Sequence, residues 1–302
     1  MKPLFPTTLI RQIATEHHEM LQSCHSVGLL PRMFADSTHQ AWSCCFLELQ
    51  CVLKVCSIDD VKKSPFWQTM QTLFGFDFVE SLDQYHSVYQ QTNKMTPLTI
   101  PRLIDAAGGY YHQRGFLLTE LVAGVVIDPR DIKKQYVEQL ARHIAALHQY
   151  SQTKFGPLFA PHLSAERWTH HLSKTLQIRA REQNVESVML DKVLAQLANF
   201  KLDLFYPIMP DLRWDQFLVM DDGALCLIDL DAMVWAPREL ELVLIEFLLN
   251  ESELHVFKAI YTQSHSIPDL DSVRDVYRLL LFVMNVLGES DIEKWMEHPV
   301  RF

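Results

Sequence analysis

The sequence predicts an α+β protein of two lobes: a small antiparallel-sheet amino-terminal lobe, and a mainly helical carboxy-terminal lobe. Three observations lead to this prediction. Short strand-like apolar segments dominate the first 121 residues, and a helical period dominates from Pro129 onward. A single hairpin pattern interrupts the helical half at positions 217–228. With 302 residues, the chain is long enough for two modest lobes.

The amino-terminal lobe is predicted over residues 1–121. An amphipathic pattern over 8–24 predicts a first helix, and apolar segments at 28–34, 41–47 and 50–55 predict an antiparallel meander. A helix is predicted over 64–93, and two further strands over 99–106 and 115–119. The expected product is a five-stranded sheet with one inserted helix.

Residues 122–129 form the predicted hinge, and the carboxy-terminal lobe is predicted over 130–302. Apolar residues at helical spacing begin with Ile132 and Tyr136, after the helix-starting pair Asp128-Pro129. Helical patterns recur at 164–182, 186–199, 238–250, 251–263 and 272–287. Apart from the hairpin, this half is therefore predicted to be helical.

The segment 207–231 carries the strongest functional signal. Asp211 and Gln216 lie in a loop, and a hairpin with an Asp-Asp-Gly turn leads from there to Asp229. Such a hairpin returns Asp229 to the neighbourhood of Asp211 and Gln216. Two carboxylates and an amide oxygen form a hard-oxygen site for Mg²⁺, with one acid left to orient a hydroxyl group. The alternative is a polar loop and a hairpin with ordinary surface acids.

These residues resemble the catalytic segment of the protein-kinase-like superfamily, in its aminoglycoside phosphotransferase and choline kinase branch. There, His-Gly-Asp-x-x-x-x-Asn is followed by a hairpin and Ile-Asp-x-Asp. The resemblance implies a bilobal protein-kinase-like fold, ATP as co-substrate, Asp211 as catalytic base, and Gln216 and Asp229 as Mg²⁺ ligands. The chain departs from the pattern at Met209, in place of His, and at Gln216, in place of Asn.

The resemblance also assigns residues to the nucleotide. Lys54 lies on the third predicted strand, where the family has a lysine that contacts the phosphates; a solvent-facing lysine is the alternative. Glu80 is the candidate for the helical glutamate that pairs with it, with a solvated helix residue as the alternative.

Two other segments resemble nucleotide-contacting parts of the family. The segment 34–39 replaces a glycine-rich loop, and its Ser37 or Thr38 hydroxyl could contact a phosphate. Glu120 and Leu121 resemble the segment that reads adenine through backbone groups, although an edge strand that meets a linker has the same pattern.

Three further residues concern the acceptor and the reaction. Arg213 is predicted to neutralise charge near the transferring phosphoryl group. Asp231 and Trp235 are predicted to bind a cationic hydroxyl compound, together with the acids Glu239, Glu246, Glu251 and Glu253. The alternative is that most of these acids solvate helix faces. Glu241 matches a family acid that braces the catalytic loop, which is a structural role.

Charge and composition restrict the other classes of function. The net charge is −10, and residues 201–302 contain 19 acidic and 8 basic residues, whereas residues 1–200 contain 18 and 19. Such a surface argues against a nucleic-acid partner. No apolar run is long enough for a transmembrane helix, so no membrane partner is expected. The six cysteines lack disulfide or CxxC spacing, which favours a reducing cytoplasm.

Two hypotheses follow from the sequence. The first is an ATP- and Mg²⁺-dependent phosphotransferase that acts on the hydroxyl group of a small, cationic molecule. The second is a kinase-fold protein that is catalytically impaired, because of Met209 and Gln216, and serves as a nucleotide-binding or scaffold protein. The oligomeric state and the acceptor are not determined by the sequence.

Overall fold

A five-stranded sheet forms the amino-terminal part of the protein. The computed structural model describes residues 5–31, 37–111, 113–197, 200 and 202–302, so the predicted loop positions 34–36 lie outside the described residues. The sheet has the order β1-β2-β3-β5-β4, and each neighbouring pair is antiparallel. Its strands are β1 (His25–Leu29), β2 (His39–Phe46), β3 (Leu49–Cys56), β4 (Leu103–Ala107) and β5 (Gly115–Glu120). The predicted five-stranded antiparallel sheet is confirmed.

The alternation of side chains in β3 separates the two faces of this sheet. Cys51, Leu53 and Val55 are buried on one face, where they pack with the amino-terminal segment of the chain. Val52 and Lys54 point to the opposite face, which lines a cleft. The predicted helix over 8–24 is wrong as a single element, because the structure has two short helices, α1 (Thr7–Ile10) and α2 (His18–Ser23), with a 3₁₀ turn at Thr15–His17.

The segment between β3 and β4 contains three helices where the sequence predicts one. They are α3 (Ile58–Val61), α4 (Pro65–Phe74) and α5 (Tyr85–Met95). The predicted helix over 64–93 ends at Gly75 because this residue adopts a left-handed conformation with φ +74°, and its N–H caps α4 by donating to the carbonyl of Gln71.

The carboxy-terminal part of the chain contains a helix within each predicted helical pattern. These helices are α6 (Lys134–Leu147), α7 (Trp168–Glu182), α8 (Ser187–Gln196), α9 (Arg238–Leu248), α10 (Glu251–Tyr261) and α11 (Arg274–Met284), followed by α12 (Ile292–Met296). None of the described helices is both long and apolar enough to cross a membrane.

Three antiparallel strands connect the hinge to the predicted hairpin: β6 (Val125–Val126), β10 (Phe217–Val219) and β11 (Leu225–Leu227), in the order β11-β10-β6. Gly223 has φ +81° in the hairpin turn, as the Asp-Asp-Gly pattern predicts. A Cβ at Gly124 would lie 2.9 Å from the Cβ of Leu218 and 3.0 Å from the carbonyl of Val219, so the hinge can approach β10 only with glycine there.

A four-stranded sheet, not predicted from the sequence, lies in the helical part of the chain. Its order is β8-β7-β12-β9, with β7 (Lys154–Pro157), β8 (Leu163–Ser164), β9 (Tyr206–Ile208) and β12 (Val234–Ala236). Each strand has at most four residues, too few for an alternating pattern to be recognised. The strands β9 and β12 flank the catalytic segment and hold both of its ends.

The helix α4 packs against the carboxy-terminal helices α7 and α11. His171 of α7 makes a 3.2 Å hydrogen bond to the carbonyl of Leu73, and the rings of Phe74 and Trp168 lie 6.2 Å apart. The helix α4 belongs to the predicted amino-terminal lobe, yet it packs against helices of the predicted carboxy-terminal lobe. The predicted boundary between residues 121 and 122 stays a prediction. The overall α+β, two-lobed arrangement with a helical second half is confirmed.

Candidate active site

A cleft of about 370 Å³ lies between the five-stranded sheet and the helical part of the chain. Its volume falls within the range of small-molecule sites. Most of the predicted site residues line this cleft, namely Ser37, Thr38, Lys54, Glu120, Leu121, Asp211, Arg213, Asp229 and Asp231. Glu80, Gln216 and Trp235 are described residues that lie outside its lining.

A buried acid of α9 hydrogen-bonds to the backbone just before Asp211 and braces the loop that carries this residue. Glu241, fully buried on α9, accepts a 2.7 Å hydrogen bond from the N–H of Met209, and its other oxygen lies 3.0 Å from Nε2 of His148. Burial raises the pKa of Glu241 to about 8. The predicted bracing role of Glu241 agrees with this contact. Met209, in place of the family histidine, is itself buried.

Gln216 closes the loop onto itself. Its Oε1 accepts a 3.2 Å hydrogen bond from the N–H of Arg213, and its Nε2 donates a 3.0 Å hydrogen bond to the carbonyl of Asp211. The side chain is buried, and both ends of the amide are engaged with the backbone. Gln216 therefore braces the loop, because the extra methylene lets the amide span from one backbone group to the other. Its predicted role as a metal ligand stays a prediction.

We expect Gln216→Asn to impair the enzyme although it restores the common family residue. The shorter amide cannot reach both backbone groups, so at least one hydrogen bond is lost, which costs about 1 kcal/mol of stability. Misplacement of Asp211 should lower kcat by about 10-fold or more. Steady-state kinetics over a Mg²⁺ titration and thermal unfolding measure both effects. An altered Mg²⁺ dependence at unchanged stability would contradict the bracing role and support metal ligation.

Asp211 lies in this loop as a half-buried acid. Burial, together with the charge of Asp229, raises its pKa to about 7, although Arg213 opposes the shift. Its Oδ1 is buried and has no hydrogen-bond partner among the described residues. An acid with a pKa near neutrality is suited to accept a proton from a hydroxyl group.

The hairpin places Asp229 opposite Lys54. The N–H of Ile228 donates a 2.9 Å hydrogen bond to the carbonyl of Gln216, which extends the β10–β11 ladder and fixes Asp229 next to the loop. Nζ of Lys54 lies 2.9 Å from Oδ1 of Asp229 and 3.6 Å from Oδ2 of Asp231. Burial would raise the pKa of Asp229, but the Lys54 ammonium outweighs it and lowers this pKa to about 2.

Asp231 is the more deeply buried acid of the pair, with 6% of its surface exposed. Burial and the neighbouring charge of Asp229 raise its pKa to about 8. It lines the cleft directly beside Lys54. Its contact with the lysine is thus observed, and its predicted role in binding the acceptor stays a prediction.

Glu80 does not reach Lys54. It is exposed in the turn between α4 and α5, where its N–H donates to Asp77 and its carbonyl accepts a 3.0 Å hydrogen bond from the hydroxyl of Tyr110. The ion-pair partners of Lys54 in the described part of the chain are Asp229 and Asp231. The predicted pairing of Glu80 with Lys54 is thus corrected.

The loop before β2 and the hinge both contribute residues to the lining of the cleft. The indole N–H of Trp67 donates a 3.2 Å hydrogen bond to the hydroxyl of Thr38, which ties this loop to α4. At the hinge, the N–H of Leu121 already donates a 2.8 Å hydrogen bond to the carbonyl of Gln50. Val122, which follows and also lines the cleft, has an N–H with no backbone hydrogen bond to any described residue.

Arg213 is held by a neighbouring acid, Asp215, that was not among the predicted site residues. Its Nε lies 3.0 Å from Oδ1 of Asp215, and its second nitrogen lies 3.2 Å from Oδ2. Burial by itself would lower the pKa of Arg213, but the negative charges of Asp215 and Asp211 outweigh burial and raise this pKa. The spacing Arg-x-Asp was a visible signal, since a carboxylate two residues away can bind a guanidinium through both oxygens.

The acids predicted around the acceptor do not share one position. Of Asp231, Glu239, Glu246, Glu251 and Glu253, only Asp231 lines the cleft. Glu246 is fully buried and pairs with Arg274 and Arg278, while Glu253 caps α10. The indole N–H of Trp235 donates to the carbonyl of Leu158. The predicted acceptor contacts of Trp235 and of the four glutamates are therefore corrected, whereas that of Asp231 stays a prediction.

The sequence also missed residues at the far end of the cleft. Ser64, Phe66 and Trp67 line it from the start of α4, and Asn285 and Val286 line it from the end of α11. Asn285 adopts a left-handed conformation with φ +58°, which an asparagine tolerates well. A Ser-Pro helix start and an Asn helix end were visible, but nothing local indicated that the two ends meet at one cleft.

The cleft acids suit a divalent cation that arrives with phosphates. Asp211 Oδ1 and Asp231 Oδ1 are buried oxygens without a hydrogen-bond partner in the described ranges. The Asp229 carboxylate lines the same cleft. Mg²⁺ is usually bound by one or two carboxylates, the substrate phosphates and water. The residues present therefore fit Mg²⁺ through Asp229, and the predicted contact of the metal with the Gln216 amide stays a prediction.

Two solved phosphotransferase structures share this fold. A thermostable mutant of aminoglycoside phosphotransferase APH(4)-Ia, in a ternary complex with AMP-PNP and hygromycin B, superposes with a TM-score of 0.64 at 14% identity, over 96% of this chain and 95% of that one. Macrolide 2'-phosphotransferase MphH from Brachybacterium faecium gives 0.55 at 10% identity, over 91% and 93%. At these identities, the likeness shows the fold.

The sequence itself matches a family. No curated protein shows significant sequence similarity to the chain. The family model of the phosphotransferase enzyme family, however, matches residues 73–275, which is two thirds of the chain and includes Asp211, Arg213, Gln216, Asp229 and Asp231. The chain therefore belongs to the phosphotransferase enzyme family.

Proposed function

We propose that this phosphotransferase transfers the γ-phosphoryl group of ATP, bound with Mg²⁺, to the hydroxyl group of a small cationic molecule. The observation that supports this most directly is the meeting of three groups in one cleft. Asp211 has a pKa near 7, Asp229 has a pKa near 2, and Lys54 lies 2.9 Å from Asp229. A base, a metal-binding carboxylate and a phosphate-binding cation are the parts that phosphoryl transfer requires.

The proposed nucleotide site runs from the hinge to Asp229. Adenine would lie between the sheet and β10, against Ala41 and Leu218, which both line the cleft. The carbonyl of Glu120 and the N–H of Val122 are the backbone groups placed to read its edge, since the Leu121 N–H is engaged by Gln50. Ser37 and Thr38 would contact the phosphates through their hydroxyl groups.

The chemistry follows from the positions of three side chains. When bound, Mg²⁺ would neutralise charge on the phosphates, held by Asp229. The Asp211 carboxylate accepts a hydrogen bond from the acceptor hydroxyl and takes its proton as the oxygen–phosphorus bond forms and the bond to ADP breaks. Arg213 lies beside this carboxylate and offsets the negative charge of the transferring group.

The proposed acceptor lies between α4 and the end of α11. The aromatic ring of Phe66 and the amide of Asn285 offer an apolar face and a hydrogen-bonding group there. Five acids line the whole cleft (Asp211, Asp215, Asp229, Asp231 and Glu120), against Lys54 and Arg213 as the only arginine or lysine residues among the described ones that do. This excess of acid, rather than the helix acids predicted from the sequence, supports a cationic acceptor.

A substrate panel at two salt concentrations tests this proposal. ADP release would be measured with amino alcohols, aminoglycosides, macrolides, neutral sugars and anionic hydroxy acids, each with Mg-ATP. We expect amine-bearing acceptors to give the highest kcat/KM, and their KM to rise at higher ionic strength because surface charges are screened. Preference for a neutral or anionic acceptor, with a salt-independent KM, would refute the cationic acceptor.

The same panel separates the proposal from a catalytically impaired protein. Binding of Mg-ATP, measured by calorimetry, without transfer to any acceptor and without slow hydrolysis would favour a nucleotide-binding or scaffold role. The intact brace between Glu241 and the Met209 N–H supports an active loop. We therefore expect both binding and turnover.

A further inference from the structure

The helix α5 presents two tyrosines to the base of the active site. Tyr85 and Tyr89 are four residues apart, so they lie on the same helix face. The Tyr85 hydroxyl donates a short hydrogen bond to the backbone carbonyl of Asp231. The Tyr89 hydroxyl is buried and has no hydrogen-bond partner in the part of the chain that the structure describes.

Lys54 needs a carboxyl group that stays beside it when metal and nucleotide bind. Its nearest carboxylate oxygen, at 2.9 Å, belongs to Asp229, which is also the proposed Mg²⁺ ligand. A carboxylate that faces a divalent cation is a weaker partner for an ammonium group. Because Glu80 is exposed and distant from the lysine, Asp231 is the acid that remains, with its Oδ2 at 3.6 Å.

Asp231 and Tyr89 each have one buried polar atom that is unsatisfied. One is Oδ1 of Asp231 and the other is the hydroxyl of Tyr89, with no partner for either among the described residues. Tyr89 lies one helical turn after Tyr85, so its ring is on the side of α5 from which the Tyr85 hydroxyl contacts Asp231. An unsatisfied buried donor and acceptor are each costly, and one water that hydrogen-bonds to both of them removes both costs.

We infer that Asp231 is the lasting partner of Lys54 and that the two tyrosines of α5 hold Asp231 in place, Tyr85 through its backbone and Tyr89 through its carboxylate. Tyr89 is then a positioning residue for phosphate binding. In this chain, Asp231 and the two tyrosines of α5 take the place of the helical glutamate that was expected to pair with Lys54. The inference rests on the proposed binding of Mg-ATP in this cleft.

Tyr89→Phe tests the inference because it removes one hydroxyl group and leaves the ring in the core. We expect about 5- to 10-fold weaker binding of Mg-ATP and a matching rise in its KM, in line with the loss of one hydrogen bond to a charged network. The KM of the acceptor should stay unchanged. The matched control is Tyr277→Phe, which removes a buried hydroxyl of α11 that does not line the cleft.

A double-mutant cycle with Lys54→Met identifies the route of the effect. If Tyr89 acts through Asp231 and Lys54, Tyr89→Phe should weaken Mg-ATP binding no further in the Lys54→Met protein, and Asp231→Asn should behave likewise. Additive effects would overturn the inference, as would a Tyr89→Phe protein that binds Mg-ATP like Tyr277→Phe. Wild-type protein that binds no Mg-ATP would overturn the proposed function together with this inference, so the two failures can be distinguished.

Discussion

Replacement of Asp229 by alanine should abolish Mg-ATP-dependent transfer, with a fall in kcat on the order of 10³-fold or more. The Asp229 carboxylate has a pKa near 2 and lies opposite Lys54, so it is ionised at any working pH and is the strongest metal-binding group of the cleft. Its removal leaves the phosphate charge uncompensated. ADP release over a Mg²⁺ titration measures this loss, which excess Mg²⁺ should not restore.

Asp221→Ala provides the control for the loss of charge. Asp221 is exposed at the tip of the same hairpin, and it does not line the cleft. We expect its replacement to leave turnover within about 2-fold, because isolated surface charges contribute little. A functional Asp229→Ala protein, or equal losses in the two variants, would show that the metal is held elsewhere.

The hairpin and the position of Asp229 were predictable because they depend on short-range features. The turn Asp-Asp-Gly with apolar runs on both sides determines the register, and the register places Asp229 one residue beyond the pair Ile228–Gln216. Lys54 was predictable in a similar way, since alternation in β3 puts it on the face opposite Leu53 and Val55.

Glu80 shows where prediction from sequence failed. An uninterrupted helix over 64–93 would have carried this residue towards the sheet, but the left-handed Gly75 ends α4 and leaves Glu80 in a turn. Gly75 was visible in the sequence. Its effect depends on the packing of α4 against α7 and α11, which is a tertiary contact that local propensity does not contain.

The acids after position 200 show a second limit. Their density in the sequence suggested an acidic acceptor pocket, but Glu246 points into the core, where it meets Arg274 and Arg278 and accepts hydrogen bonds from the N–H groups of Arg301 and Phe302. A buried acid with several hydrogen-bond donors has a structural role, because its removal would leave buried charged partners unpaired. Sequence proximity to the catalytic segment therefore did not indicate which face of α9 each acid occupies.

Asp211→Asn should separate catalysis from stability. The amide keeps the shape of the side chain but cannot accept the proton of the acceptor, so kcat should fall by about 10²- to 10⁴-fold. Binding of Mg-ATP should persist, because Asp229 and Lys54 remain. The wild-type enzyme should lose kcat/KM as the pH falls below about 7, where Asp211 becomes protonated, and the variant should lack this acid limb.

Asp211→Asn should lower kcat but raise the stability of the protein relative to the wild type at high pH. The pKa of Asp211 in the folded protein is about 7, above its ordinary value of 3.8, so the folded state holds this proton more tightly than the unfolded state. The stability linked to the proton is complete below pH 4 and is lost as the pH rises to about 7. Asparagine does not titrate. The unfolding temperature of the Asp211→Asn protein should therefore exceed that of the wild type by more at pH 8 than at pH 5. Equal differences at both pH values would show that Asp211 is well solvated, and would remove the reason for its action as a base near neutrality.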